Sequence, residues 1–362
     1  MSVKRAPVRI AIVVLVVGAL GACASSTRDR QIATEYFDLG NAYLDLGQYD
    51  KAITEYQSAL RLDPGYVKAS YNLALTYVRT KRTDDAIPIL KRLLGSDGQN
   101  TQLLSALGWA YHSAGKDTDA LAQYEAVIAL SPADLNALYN SGIILWKLDR
   151  PRDALDRLRT LLSKSPDDAD GLYAAGSVLL SLDEPAEAED MLSRYLQKKA
   201  DDVDALFLLA AADERQKKYS QALEAYGKAA AKDSSRGDAL FGEARLLLTV
   251  IEDPQQGLDS LQKALDAGFK DTKAIAVLLD SPGLLEREKV EAALKDKGLL
   301  PAPPTSAAPD AGATGAAAPG AAAPGTGAPS STTPAASPSA GAPPPAGPSG
   351  RTSPSASPPA TK

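Results

Sequence analysis

Residues 33–66 read ATEYFDLGNAYLDLGQYDKAITEYQSALRLDPGY. Apolar and aromatic residues fall three and four apart, first through Tyr36, Leu39, Gly40 and Tyr43, then through Ala52, Tyr56 and Ala59. Gly47 separates the two runs and Pro64 follows them. Side chains three and four apart share one face of a helix, so the stretch predicts two short amphipathic helices joined by a tight turn. Stepping outward by 34 residues, the position of Gly40 is Ala74, Gly108, Gly142, Gly176, Ala210 and Ala244, and that of Ala52 is Ala86, Ala120, Ala154, Ala188 and Ala222. A small residue at both places lets two helices approach closely. One helix pair cannot bury its own apolar face, so a repeated pair predicts a stack.

The frame gives repeats at 33–66, 67–100, 101–134, 135–168, 169–202 and 203–236, and a divergent seventh at 237–270. In the seventh, Asp253-Pro254 starts the second helix one residue late and Gly268 ends it. Two capping helices, about Thr272–Leu279 and Leu284–Lys297, are expected within 271–299. Pro151 and Pro185 suit the first position of a helix, where the missing N–H is unpaired anyway. Pro88 falls a turn inside a predicted helix, where a local adjustment is expected. Asp213 stands where earlier repeats carry Tyr43, Tyr77 and Tyr111, and Lys217, four residues on, is its expected partner.

An aromatic, Leu-Gly, Tyr, Ala, aromatic and Pro at these offsets resembles the tetratricopeptide repeat, from Ala33 to about Leu299. The resemblance implies an all-α, right-handed α-solenoid of about sixteen helices, its first (A) helices lining a concave surface.

Both ends of the chain differ from the repeats. Lys4, Arg5 and Arg9 precede an apolar run from Ile10 to Ala22, too short to cross a ~30 Å hydrocarbon core and of signal-peptide length. Leu20-Gly21-Ala22-Cys23 resembles the bacterial lipobox, which implies a signal at 1–22, acyl chains on Cys23 and a short tether through residue 32. Ala24 and Ser25 after the cysteine imply, by the same resemblance, the outer membrane and a periplasm-facing protein. Residues 300–362 read as a disordered Pro/Ala/Gly/Ser-rich tail. From Pro301 onward there is no Val, Ile, Leu, Met or aromatic residue to offset the entropy of ordering. It is either an inert solubilising tail or a tether reaching toward peptidoglycan.

One Cys and one His exclude any internal disulfide and any site of two Cys or two His ligands. No phosphate loop, Cys-x2-Cys pair, metalloprotease helix or serine elbow occurs. The net charge of -6 without a basic cluster argues against nucleic acid as a partner. Neither a cofactor nor an enzymatic activity is expected.

The candidate site is the presumed inner face. One A-helix position reads Phe37, Tyr71, Ser105, Tyr139, Tyr173, Phe207 and Phe241. Trp109, His112, Ile143 and Trp146 share that face, with Asn72 and Asn140 beside them as hydrogen-bonding groups for an extended peptide. The predicted contact set is Tyr71, Asn72, Trp109, His112, Tyr139, Asn140, Ile143, Trp146 and Tyr173. Tryptophan is enriched among binding hot spots, although an aromatic row also serves packing. An inner charge series runs from Lys68, Gln102 and Asn136 to Asp170, Asp204 and Asp238. Asn41 and Asn72 match the asparagines of the family's carboxylate clamp, whereas Phe37, Gln102 and Ala106 replace its basic residues. The expected function is a lipid-anchored scaffold for other envelope proteins or peptides, similar to the tetratricopeptide lipoproteins of type IV pilus assembly or of peptidoglycan-enzyme recruitment. The alternative is an envelope receptor binding a glycan or small ligand on the aromatic row.

Overall fold

The computed structural model describes residues 27–300. The export segment, Cys23 and residues 301–362 lie outside them. The described residues form sixteen α-helices and no strand. Two compact units divide the chain after Pro166.

The first unit holds α1 (27–45), α2 (Tyr49–Leu62), α3 (Val67–Arg79), α4 (Thr83–Ser96), α5 (Thr101–Ser113), α6 (Asp117–Leu130), α7 (Leu135–Lys147) and α8 (Pro151–Lys164). The second holds α9 (Ala169–Ser181), α10 (Pro185–Leu196), α11 (Val203–Arg215), α12 (Tyr219–Lys232), α13 (Gly237–Thr249), α14 (Pro254–Asp266), α15 (Thr272–Asp280) and α16 (Arg287–Asp296). Within each unit, from α2 to α14, helices adjacent in sequence pack on one another, giving an α-solenoid of tandem helix pairs. Odd-numbered helices through α13 are the A helices and even-numbered ones through α14 the B helices.

The small-residue positions lie where the helices of a pair cross. Ala52, Ala74, Ala86, Ala120, Ala154, Ala188, Ala210, Ala222 and Ala244 are all fully buried. A Cβ at Gly40 would sit 2.6 Å from the Tyr56 ring, and one at Gly176 would sit 2.7 Å from Leu192 Cγ. The B-helix side chain sixteen residues on therefore fills the space that glycine leaves.

The A-to-B turn uses a left-handed residue at a fixed register: Gly47, Lys81, Gly115 and Asp149 in the first unit, Asp183 and Lys217 in the second, with φ from 59° to 72°. A non-glycine there costs roughly 1–2 kcal/mol, which the packed pair on either side must override. In the seventh repeat the left-handed residue moves to Glu252 (φ 63°), one place late, in step with the late start at Pro254. Asn100, Asp134, Asp168 and Asp202, again 34 apart, cap the A helices by accepting backbone N–H bonds from Leu103, Ala137, Gly171 and Ala205.

Several expectations need adjusting. α4 runs through Pro88 as one helix. The last helix starts at Arg287 rather than Leu284, after a left-handed Glu286 (φ 51°). Ile275, Leu278, Val290 and Leu294 of α15 and α16 are fully buried against the end of the second unit's core. Among the described residues no helix is long and apolar enough to cross a membrane.

Two glycines test the packing account by thermal denaturation. Gly176→Val should cost about 1–3 kcal/mol by forcing the α9–α10 crossing apart. Gly227, inside α12, would place a Cβ in open space, so Gly227→Ala should stabilise by up to about 1 kcal/mol. Equal effects of the two would contradict the account.

Candidate binding surface

In the first unit, Tyr71 and Asn72 lie on α3, Trp109 and His112 on α5, and Tyr139, Asn140, Ile143 and Trp146 on α7; all are partly exposed. Trp109 and Ile143 occupy one register position, and His112 and Trp146 another. Adjacent A helices thus present equivalent pairs, with Tyr139 and Asn140 a turn earlier on α7.

His112 is not a free groove residue. Its Nδ1 lies 2.6 Å from Asp117 Oδ1, and Lys147 Nζ lies 2.8 Å from Asp117 Oδ2. Asp117, the first residue of α6 and 9% exposed, so ties α5 and α7 to α6. Burial opposes its ionisation, but hydrogen bonds with Lys147 and His112 outweigh burial and hold the carboxyl below its ordinary range. The sequence offered no signal for this trio, because Lys147 and Asp117 are 30 residues apart.

Asn72 is likewise engaged. Its amide nitrogen donates to Asn41 Oδ1 at 2.8 Å, and the same oxygen accepts from Tyr56 Oη at 2.8 Å. Burial pushes the Tyr56 hydroxyl up to about 12, so it stays a donor. The two clamp-like asparagines therefore brace α1, α2 and α3 together. Phe37, at a place where the clamp would be basic, packs on Tyr56 and Tyr66 at centroid distances of 5.9 and 5.1 Å. The Tyr71 hydroxyl is buried and has no hydrogen-bond partner among the described residues.

In the second unit the aromatic row belongs mainly to packing. Tyr173 lies 5.3 Å from Tyr195, Phe207 5.6 Å from Tyr226, and Phe241 stacks on Phe269 at 4.2 Å. The acidic series is partly neutralised here: Arg236 bridges Asp204 and Asp238 and sits 5.5 Å from the Phe207 ring centroid. Arg245 pairs with Glu214, which also accepts from Tyr226 Oη at 3.3 Å.

Asp213 is 4% exposed, as its tyrosine register implies, but Lys217 is not its partner. α11 ends at Arg215 and Lys217 takes the left-handed turn (φ 60°), so four-residue helical spacing no longer applies. The neighbouring charges are Glu189 and Lys218.

The helix-pair register has counterparts among known proteins. Models described as TPR repeat match residues 40–81 and 108–149, and models described as tetratricopeptide repeat match 67–100 and 139–205. The chain carries tetratricopeptide repeats. A tetratricopeptide repeat protein of Parabacteroides merdae superposes with a TM-score of 0.51 at 16% identity, covering 68% of this chain and 98% of that one. PilW, a type IV pilus biogenesis factor, superposes with a TM-score of 0.50 at 18% identity, covering 56% and 93%. Both likenesses show the fold alone. In sequence, an uncharacterized lipoprotein of Treponema pallidum is 34% identical over 106 residues, 29% of this chain and 54% of the relative. The protein O-mannosyl-transferase Tmtc3 of Drosophila melanogaster is 30% identical over 117 residues, 32% of this chain and 13% of the transferase. The chain thus spans about half or less of these curated relatives. A tetratricopeptide array of this kind is a scaffold for protein–protein interaction.

The Asp117 trio gives a pH-dependent prediction. A carboxyl held below its ordinary value contributes stability fully above that value and loses it as pH falls through the lower, folded value. Asp117→Asn should therefore cost about 1–3 kcal/mol at neutral pH. Its melting temperature should converge with that of the unmodified protein as pH drops below about 4. A deficit that stayed constant into acid would assign the loss to packing instead.

Proposed function

We propose that this protein is a lipid-anchored scaffold that holds protein or peptide partners at the periplasmic face of a bacterial outer membrane, with no chemistry of its own. The observation that carries the reading is the pair of partly exposed tryptophans, Trp109 and Trp146, on the A helices of adjacent repeats. Neither stands at a small-residue position of the helix crossings. Tyr139, Asn140 and Ile143 complete a patch with both apolar area and amide groups, the chemistry that an amphipathic or extended peptide requires. His112 and Asn72, at the registers of Trp146 and Asn140, are held in place by Asp117 and Asn41.

The anchor rests on Leu20-Gly21-Ala22-Cys23 and is consistent with the lipoprotein name of the Treponema relative. Two or more acyl chains give stable attachment where one would be marginal. The outer membrane rests on Ala24 and Ser25 after the cysteine. The likeness to PilW makes pilus assembly one pathway in which such a scaffold would serve. The glycan-receptor reading has less support, because Phe37, Tyr173, Phe207 and Phe241 spend their rings on internal packing. The tail would act as a tether toward peptidoglycan.

Two experiments test the proposal. Solubilised envelope proteins retained by the immobilised chain should be lost with Trp109→Ala or Trp146→Ala, a weakening of about 1–2 kcal/mol or more, while the melting temperature changes little. Variants that unfold yet still retain partners would make the tryptophans structural. Separately, Cys23→Ser should accumulate as uncleaved precursor, since a hydroxyl is a poor nucleophile at neutral pH. Cleavage at residue 22 and release on washing would contradict the lipid anchor.

A further inference from the structure

Two acids replace apolar or aromatic residues at a single junction. The A-helix position that carries Tyr43, Tyr77, Tyr111, Leu145 and Leu179 holds Asp213 in the sixth repeat. The B-helix position that carries Ile53, Ile87, Leu121, Leu155 and Leu223 holds Glu189 in the fifth. In the first four repeats this second position is core: Ile53, Ile87, Leu121 and Leu155 are all buried. Both exceptions fall where α10 meets α11, one repeat boundary within the second unit.

The surroundings are built around Glu189 rather than Asp213. Lys218 forms an ion pair with Glu189 Oε2, and Gln216 Nε2 donates to the same oxygen at 2.7 Å. Gln216 also reaches the Pro185 carbonyl at 3.2 Å, pinning the start of α10. Asp213 is left with one buried carboxyl oxygen that has no hydrogen-bond partner among the described residues. One lysine thus faces two carboxylates and is committed to the more exposed one.

Other elements around α11 bring no compensating charge to this end of the helix. On α9 the titratable residues are Asp170 and Tyr173, near its start, whereas the register partner of Asp213 is Leu179. On α12 the nearest are Tyr219 and Glu224, and Glu224 is exposed and paired with Lys228. On α10, Glu187 and Asp190 are exposed. On α11 itself, Glu214 is held by Arg245, and Arg215 reaches the Leu180 carbonyl and Asp183.

We propose that Asp213, with Glu189 opposite, makes the α10–α11 junction a proton-dependent hinge, closed when Asp213 is protonated and loosened when it is ionised. An uncharged carboxyl can remain in the tyrosine's place at small cost. A carboxylate there lacks both solvent and a counter-ion, and gains water only if the helices part. Burial, reinforced by the Glu189 charge and only partly offset by Lys218, pushes the Asp213 carboxyl up to about 6.

The sign follows from linkage. The closed junction binds a proton that the opened one releases, so closure is favoured below the ordinary value of 3.8 and is progressively lost as pH rises through about 6. The gap between those values sets a ceiling of about 100-fold on the change in the opening equilibrium.

Hydrogen–deuterium exchange of the full chain reads this directly, after correction for the intrinsic pH dependence of amide exchange. Opening in peptides from α10 to α12 should be about 10-fold greater at about pH 7.5 than at about pH 5, with α2 to α4 unchanged as reference. Asp213→Asn, which keeps the shape and removes the charge, should show the closed level at both pH values. The double variant Glu189→Leu/Asp213→Leu, which installs residues that other repeats carry at these registers, should do the same. Equal protection of the unmodified junction at both pH values would overturn the hinge. So would an undiminished pH response in Asp213→Asn or in the double variant.

Discussion

Close approach of two helices through a small residue on each is the contact on which the rest of this structure depends. Each A helix meets its B helix with glycine or alanine at the crossing, and a larger B-helix side chain such as Tyr56 or Leu192 fills the space beside it. Because that geometry recurs every 34 residues, the turns recur too. The left-handed residue stays at one register even where it is Lys81, Asp149 or Asp183 and glycine would be easier. Local strain is tolerated at the turn because both flanking helices are already fixed by their crossing. The single late residue before Pro254 makes the same point, since the left-handed position moves with it.

The two units use this frame differently. In the first, the polar groups of the A-helix face are drawn into short networks: Asn41 with Asn72 and Tyr56, and Asp117 with His112 and Lys147. The first network braces α1, α2 and α3, and the second joins α5, α6 and α7, whose A helices carry the partly exposed tryptophans. In the second, the aromatic row turns to packing, and charges bridge successive repeats through Arg236, Arg245 and Lys218. These pairs are partly buried, and each sets a carboxylate against a cation. The buried acid at Asp213 is the exception, because its neighbours leave it uncompensated.

The fold was legible in the sequence because its cause is periodic. Helix type, turn positions and the one-residue lag at the seventh repeat all follow from a spacing of 34 and from the residues that helices and turns accept. Side-chain partnership was far less legible. Asn72 looked available, and its partner lies 31 residues earlier; Asp117 drew no notice, although it binds the lone histidine. Lys217 looked like the partner of Asp213 only because a four-residue helical step was carried across a helix end. Pairings across repeats depend on which side chains are long enough and suitably charged to meet, and periodicity says nothing of that. The aromatic row was ambiguous for the same reason: packing and binding both favour a ring at that position, and only the facing residue, Tyr195 or Tyr226 in the second unit, separates them.

The central claim is that the α5–α7 face, and not the array as a whole, meets a partner. A photo-activatable amino acid introduced singly at Trp109 or Trp146, and for comparison at the exposed B-helix positions Asp119 and Asp156, tests it in intact cells. The account predicts a discrete protein adduct from both tryptophan positions and none from the other two. Equal adducts from all four positions, or adducts only from Asp119 and Asp156, would contradict it.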